Sequence, residues 1–313
     1  MKKLILIIIG ASIIFYSCES LIIKDLELDD TGFEKQLAIQ SLLDIGNDSV
    51  IALISENISI LENEQDITYL DADVSILKEG AEFASLEKGI DGRYYHYFDD
   101  PAGMKEGEYE LLVENTKYGS SRTKTIVPSK TEIKDLEFNY NVGTDPLDMS
   151  LFSEITFTIL DPPGKNYYSV NLASLTGEVD TVTYEGSTDT FFIESTVYSY
   201  PTIQFDPAAS IATYSDDIYI NDESFDGQEY QVTLRYSLFL NGWGQDDEEK
   251  VRKLLNLQFV DHSEDSFNYI TSLDRYQNSQ DFGLFSEPVS VYTNIDNGLG
   301  IFAGSNKTSY LFP

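Results

Sequence analysis

Between Phe33 and Val127, short runs of alternating apolar and polar residues are broken repeatedly by Gly, Asn, Asp and Pro, which leaves no room for a long helix. Ser49–Ser55 follows Gly46-Asn47-Asp48, Asp73–Lys78 stops at Glu79-Gly80, and Gly92–Phe98 closes on Asp99-Asp100-Pro101. Gly107–Glu114 and Ser121–Val127 flank a turn at Tyr118-Gly119, and the second run ends against Pro128. Strands so short and so punctuated predict an immunoglobulin-like β-sandwich over residues 33–128.

The second half continues the pattern. Ser153–Leu160 alternates and stops at Asp161-Pro162-Pro163-Gly164, and Tyr167–Leu172 and Val179–Tyr184 extend a meander. Ser187–Asn221 reads as a long loop with short strands. Gln228–Leu240 and Lys250–Val260 predict a hairpin around Asn241-Gly242-Trp243-Gly244. The one convincing helix is Ser263–Asn278, with Ser263 as its cap and Phe267, Ile270 and Leu273 near helical spacing. Val289–Thr293 reads as the last long strand, ahead of Asn294–Gly300 and a terminal Ile301-Phe302-Ala303-Gly304. The fold class expected is therefore mostly β, an N-terminal immunoglobulin-like β-sandwich followed by a second β-sandwich-like domain with one short helix. The boundary falls at Pro128–Lys130, so the C-terminal β-rich domain occupies 131–313. With 21 Tyr and 18 Phe beside one Trp and three Met, the composition also favours half-buried sheet over helix.

The N-terminus constrains location rather than fold. Lys2 and Lys3 precede an apolar stretch, Leu4–Ile9 and Ala11–Tyr16, and Ser17 leads into the only cysteine, Cys18. That layout is an export signal, residues 1–17, ending at a lipidation site. The run is too short for a membrane span, and Glu19, Asp25, Glu27, Asp29 and Asp30 follow it in place of a basic flank. The mature chain is expected to begin at Cys18 carrying covalent lipid, with residues 18–32 as an acidic tether. Several acyl chains in one leaflet, at ~0.8 kcal/mol per CH₂, anchor stably where a single chain would not. Removing residues 1–17 takes away two lysines and no acid, so the formal charge of −34 becomes −36. Such a polyanion repels nucleic acid and anionic lipid headgroups, so direct nucleic-acid or heparin binding is not expected and the tethered body stands off the leaflet that holds Cys18.

Little in the chain points to catalysis. Its two histidines, His96 and His262, are far apart in sequence, and zinc requires three or four convergent ligands. Asp261, His262 and Ser263 are adjacent, so their side chains diverge and cannot pass a proton along a line. No enzymatic activity and no resident cofactor are expected. Calcium is the better ionic option, because it takes oxygen ligands from acidic loops. Asp216, Asp217, Asp222 and Asp226 concentrate in one segment, with further oxygens at Asp246–Glu249 and Asn294–Gly298, though none reproduces EF-hand spacing. Turn formation accounts for most of these residues, since Asn and Asp bond their own backbone and Gly supplies positive φ. Trp243, set in a Gly-flanked hairpin tip, is the candidate contact for a protein partner or a sugar face. Tyr94, Tyr95 and Tyr97 read as sheet filler rather than as a glycan platform.

A resemblance joins these pieces. Phe225-Asp226-Gly227 leads into Tyr230-Gln231-Val232, the helix carries Tyr269 and Leu273, and Asn294-Ile295-Asp296-Asn297-Gly298-Leu299-Gly300-Ile301-Phe302 follows. With Thr125-Ile126-Val127-Pro128 ahead of the second half, this order resembles the Bacteroidota lipoprotein family catalogued as domain of unknown function 4249. The resemblance implies an outer-membrane, surface-exposed lipoprotein, often accompanying TonB-dependent transporters, with no established activity. The function expected is that of a non-enzymatic accessory or binding subunit of an outer-membrane protein complex. The alternative is a carbohydrate- or Ca²⁺-dependent ligand-binding module.

Overall fold

The computed structural model describes residues 33–59, 67–99, 103–144, 151–184, 187–199, 201–203, 208–211, 217–236, 251–281 and 289–312. The chain divides into one unit of residues 1–35 with 58–67 and a larger unit of 36–57 with 68–313; all the structure below belongs to the larger. The signal segment 1–17 and the tether 18–32 lie outside the described residues.

Alternation builds the first layer pair. β1 (Leu37–Ile45) and β2 (Ser49–Glu56) form a hairpin around Gly46, whose φ of +95° is easily reached only without a Cβ. β3 (Asp73–Lys78), β4 (Ala81–Lys88) and β5 (Tyr94–Tyr97) follow, and β5 adds to β2. β4 changes layers along its length. Glu87 and Lys88 pair with β5, whereas Ala81–Leu86 pairs with β3 across an irregularity at Ile76/Leu77. β6 (Gly107–Asn115) and β7 (Gly119–Val127) complete the opposite layer. Between the layers lie Leu37, Ile39, Leu43, Val50 and Ile54 on one side and Val74, Ile76, Tyr109, Leu111 and Val113 on the other, all buried.

The second layer pair sets a four-stranded sheet against the far end of the large one. β8 (Glu132–Thr144), β9 (Leu151–Leu160), β12 (Pro201–Ile203) and β15 (Glu229–Tyr236) run in the order β12-β15-β9-β8. Facing them are β10 (Tyr167–Tyr184), β13 (Ala209–Ile211), β14 (Ile218–Asn221) and β16 (Val251–His262), with β11 (Ser187–Ser199) along the far part of β10. Ile155, Phe157, Ile159, Val232 and Leu234 pack on Tyr168, Val170, Leu172, Ile220, Leu257 and Phe259, and the Phe157 and Phe259 rings meet edge-on at 6.2 Å. The chain is thus mostly β, with sandwich-like layers and one helix among the described residues, α1 (Glu264–Asp281). Ser263 caps α1 by accepting the Ser266 N–H at 3.0 Å. Phe267 packs on Tyr167 and Tyr219, which seats the helix on the outer face of the large sheet.

The last strand, β17 (Gly298–Phe312), serves both cores. Residues 298–306 pair in parallel with β1 and 305–312 pair antiparallel with β16. Phe302 is fully buried in the first core, while Tyr310 and Phe312 pack against the second. Gly300, at φ +107°, passes so close to β1 that a Cβ would stand 1.9 Å from the Ile39 carbonyl oxygen.

Four expectations change here. Over their described residues Gln228–Leu240 and Lys250–Val260 do not pair as a hairpin: β15 pairs with β12 and β9 in the four-stranded sheet, whereas β16 pairs with β10 and β17 in the large one. Tyr167–Leu172 and Val179–Tyr184, expected as successive strands, are one continuous strand, β10. Val289–Thr293 forms no ladder; its Tyr292 N–H goes instead to Ser272 Oγ on α1 at 2.8 Å. The Asn294 side chain both donates to and accepts from the Phe302 backbone, clasping it at 2.7 and 3.0 Å. Within Ser187–Asn221, expected as loop, residues 187–199 form a 13-residue strand hydrogen-bonded to β10. Its Thr and Ser content obscures an alternation that the neighbouring strand stabilises.

Candidate functional site

Among the described residues, a group of three carboxylates gathers where β9 turns into β10. Asp161 closes β9, and Pro162-Pro163, which lack backbone N–H groups, end the ladder there. Gly164 at φ +115° reverses the chain into β10. Opposite, β14 runs into the loop Asp222–Gly227, tightened by Phe225 N–H to Asp222 O at 2.8 Å and Gln228 N–H to Phe225 O at 2.8 Å. Stacking of Phe225 on Tyr230, 4.0 Å between centroids, holds that loop against β15.

These turns bring Asp161, Asp222 and Asp226 together, one carboxylate oxygen of each lying within 4.8 Å of the others. Asp161 and Asp222 are buried, at 7% and 3% exposure, and Asp226 is exposed. Asp161 accepts from the Gly227 N–H at 2.7 Å and from the Tyr168 hydroxyl. Asp226 accepts from the Gly164 N–H at 2.8 Å. Asp222 accepts from both the backbone and the side-chain amide of Asn166, at 2.8 and 3.3 Å. The Asn166 amide also donates to Pro162 O and Gly164 O, so this one residue ties the two turns together. Burial pushes the Asp161 carboxyl above its ordinary value, and the charges of Asp222 and Asp226 act in the same direction. The bonds from Tyr168 and Gly227 oppose that shift. Burial, and then the bond to Asp161, raise the Tyr168 hydroxyl far above its usual range.

Chemically, three carboxylates at this spacing can hold a hard divalent cation, which takes six to eight oxygens. They also staple two turns, through the Gly164, Asn166 and Gly227 backbone N–H groups together with the Tyr168 hydroxyl and the Asn166 side-chain amide. Two of the four candidate calcium residues, Asp222 and Asp226, are therefore brought together. Asp217 lies outside the cluster, and Asp216 falls outside the described residues. In sequence, Asp161-Pro162-Pro163-Gly164 reads simply as a strand stop and gives no sign of a third carboxylate. Only the pairing of β10 with β14 carries it to the loop at 222.

Other candidates are placed as follows. Cys18 and Trp243 lie outside the described residues. Asp261, His262 and Ser263 diverge: both Asp261 oxygens accept the Thr131 N–H, His262 sits between the Ser169 and Ser266 hydroxyls, and Ser263 caps α1. Tyr94 is buried, its hydroxyl donating to Leu70 O at 3.0 Å, whereas Tyr95 is half-buried and Tyr97 exposed.

A family model described as a domain of unknown function, DUF4249, matches residues 23–310. The chain belongs to that family. The DUF4249 match takes in both sandwich cores, the acidic turns and nearly all of β17. No curated protein matches this chain in sequence. Among solved structures, trypsin-activated α2-macroglobulin from Escherichia coli overlaps at TM-score 0.22 and 12% identity, over 74% of this chain and 14% of that one. A Salmonella α2-macroglobulin mutant overlaps at TM-score 0.25 and 10% identity, over 90% and 15%. A Corynebacterium diphtheriae protein, described as membrane anchored, overlaps at TM-score 0.19 and 12% identity, over 73% and 54%. The chain thus spans about one seventh of the macroglobulins it overlaps.

Proposed function

We propose that this DUF4249 protein is a non-enzymatic, surface-exposed lipoprotein of the outer membrane. It serves as an accessory or binding subunit of a TonB-dependent-transporter-like or other outer-membrane protein complex. The observation that carries the reading is the apolar run closing on the sole cysteine, Cys18, directly ahead of acidic residues. No described helix is long and apolar enough to cross a membrane. Acyl chains on Cys18 would hold the protein to the leaflet, and the segment 18–32 would let a body of formal charge −36 stand away from anionic headgroups. Trp243 remains a candidate contact for the partner.

The test is Cys18→Ala in native cells. The variant is expected to lose acyl labelling and to leave the membrane fraction. Continued sedimentation with outer membrane after a high-salt wash would refute lipid anchoring. For the partner, detergent-solubilised wild type should co-purify with one outer-membrane chain, and Trp243→Ala should weaken that recovery.

The second reading is a carbohydrate- or Ca²⁺-dependent ligand-binding module, and the Asp161–Asp222–Asp226 cluster favours its calcium-dependent form. An ion bound only by the folded state stabilises it by about 2.7 kcal/mol at a hundredfold excess over Kd, and so raises the melting temperature with concentration. Calcium should then stabilise the wild type and not Asp161→Asn. Identical melting curves in calcium and in EDTA would eliminate the calcium arm of this reading, and a polysaccharide array that retains no wild-type protein would eliminate the carbohydrate arm.

A further inference from the structure

The outer face of the β1–β2–β5 sheet carries an apolar row that no other described element covers. Ser41 and Ala52 are paired and buried, so the next residues, Leu42 and Ile51, stand side by side on the opposite face. Ile51 pairs in turn with Tyr95, and Tyr97 lies two residues further on the same face. Leu42 is 46% exposed, Ile51 42% and Tyr97 69%. The Tyr95 and Tyr97 rings lie parallel within 6°, 6.0 Å apart. Tyr95 is held in place, because its hydroxyl donates to Asp91 Oδ2 at 2.5 Å and its ring covers Gly89, where a Cβ would come within 2.8 Å. Ile90, in the same turn, is wholly exposed.

An outer sheet face that meets water is normally polar. On the adjoining β17, α1 packs over this same face, and Ile301 and Ala303 are buried there. Among the described residues nothing covers β1, β2 and β5 in that way. Asp48, Glu87 and Asp91 border the row, with Arg93 4.0 Å from Asp91.

We infer that this face docks a protein partner whose surface offers an apolar centre ringed by Lys and Arg. The inference rests on the accessory-subunit reading and names its contact surface. Three features select that occupant. Exposed aliphatics beside ordered tyrosines make up the centre of protein interfaces, whereas Leu42 and Ile51 offer a sugar neither a ring face nor a hydrogen bond. The acidic border disfavours a second copy of this chain, which would bring the same sign. It disfavours anionic lipid for the same reason.

A photo-cross-linking amino acid placed at position 51 of the full lipidated chain in native cells tests this, with position 126 as control. Ile126 is 59% exposed on β7, in the other layer. The expected result is an adduct at 51 and none at 126. The captured peptide should carry Lys or Arg around apolar residues. The adduct should fall about tenfold or more with Tyr97→Asp, as loss of an interface hot spot does, in a variant whose melting curve is unchanged. An adduct of two copies of this chain overturns the inference. So does loss of the adduct on adding neutral oligosaccharide, or an adduct insensitive to Tyr97→Asp. If position 51 yields nothing while the unmodified chain still co-purifies with a partner, the docking face is wrong and the accessory reading stands. If nothing co-purifies either, both fail.

Discussion

Gly300→Ala should be among the most damaging single-methyl additions available in this fold. The added carbon faces two separate obstacles. First, φ at Gly300 is +107°, a region that costs a residue with a side chain about 1–3 kcal/mol. Second, the methyl would stand 1.9 Å from Ile39 O and 2.8 Å from Ile39 C, both backbone atoms of the paired strand β1. That backbone must retreat by on the order of an ångström, loosening ladder bonds worth about 0.5–1.5 kcal/mol each and the packing of Ile39 and Phe302 beneath them. Together these come to roughly 3–6 kcal/mol, a large part of the 5–15 kcal/mol typical of a folded domain. Two controls separate the terms. Gly119 has φ +80° with nothing within 4 Å, so Gly119→Ala carries the backbone strain alone, about 1–2 kcal/mol. Gly304 lacks a positive φ, but its Cβ would meet Ile126 O at 2.6 Å and Val127 Cα at 2.7 Å, so Gly304→Ala carries the steric cost alone, about 1–3 kcal/mol. Urea titrations of the unlipidated chain, followed by far-ultraviolet circular dichroism at constant m-value, give all three. If Gly300→Ala costs no more than Gly119→Ala, the close passage of β17 over β1 is refuted.

Ser263→Ala should cost about 1–2 kcal/mol, toward the upper end for a helix cap, because Ser263 Oγ also accepts the Gly304 N–H of β17 at 3.2 Å. A midpoint shift in the same urea titration measures it, and a value near zero would mean that water replaces the cap. A pH titration of stability should reveal opposing neighbours. Burial raises the Asp261 carboxyl from 3.8 to about 6, so its protonation favours the folded state progressively as pH falls through that window. Loss of solvent around the His262 ring lowers it from 6.5 to about 4, so acidification over the same range protonates the unfolded state first and destabilises the fold. Asp261→Asn removes only the first effect. The stability of wild type relative to that variant should therefore grow by on the order of 2–3 kcal/mol between about pH 7 and pH 4, and a pH-independent difference would show that the carboxyl titrates normally.

What the sequence determined alone is what local chemistry determines. Most of the alternating Tyr-, Phe- and Val-rich runs form strands, Val289–Thr293 being an exception, and Ser263 followed by Phe267, Ile270 and Leu273 makes a capped helix. The apolar stretch ending at Cys18 supports the expectation of export on the same local ground. Glycine at 298 and 300 could be read as marking a close backbone approach, but not which strand is approached. That strand is β1, some 260 residues earlier by the pairing of Ile39 with Gly300, and the pairing is parallel. Period-two alternation assigns faces, not neighbours, so pairing across such distances is settled only when the cores close. The same limit governs the candidate sites. Asp222 and Asp226 lie in one loop and could be grouped from their spacing, whereas Asp161 joins them only because β10 lies beside β14. Tyr94, Tyr95 and Tyr97 are consecutive or nearly so, yet one is core and one is exposed. Side-chain alternation separates Tyr94 from Tyr95, but only the position of α1, over β17 and not over β1, β2 and β5, leaves Tyr97 in water.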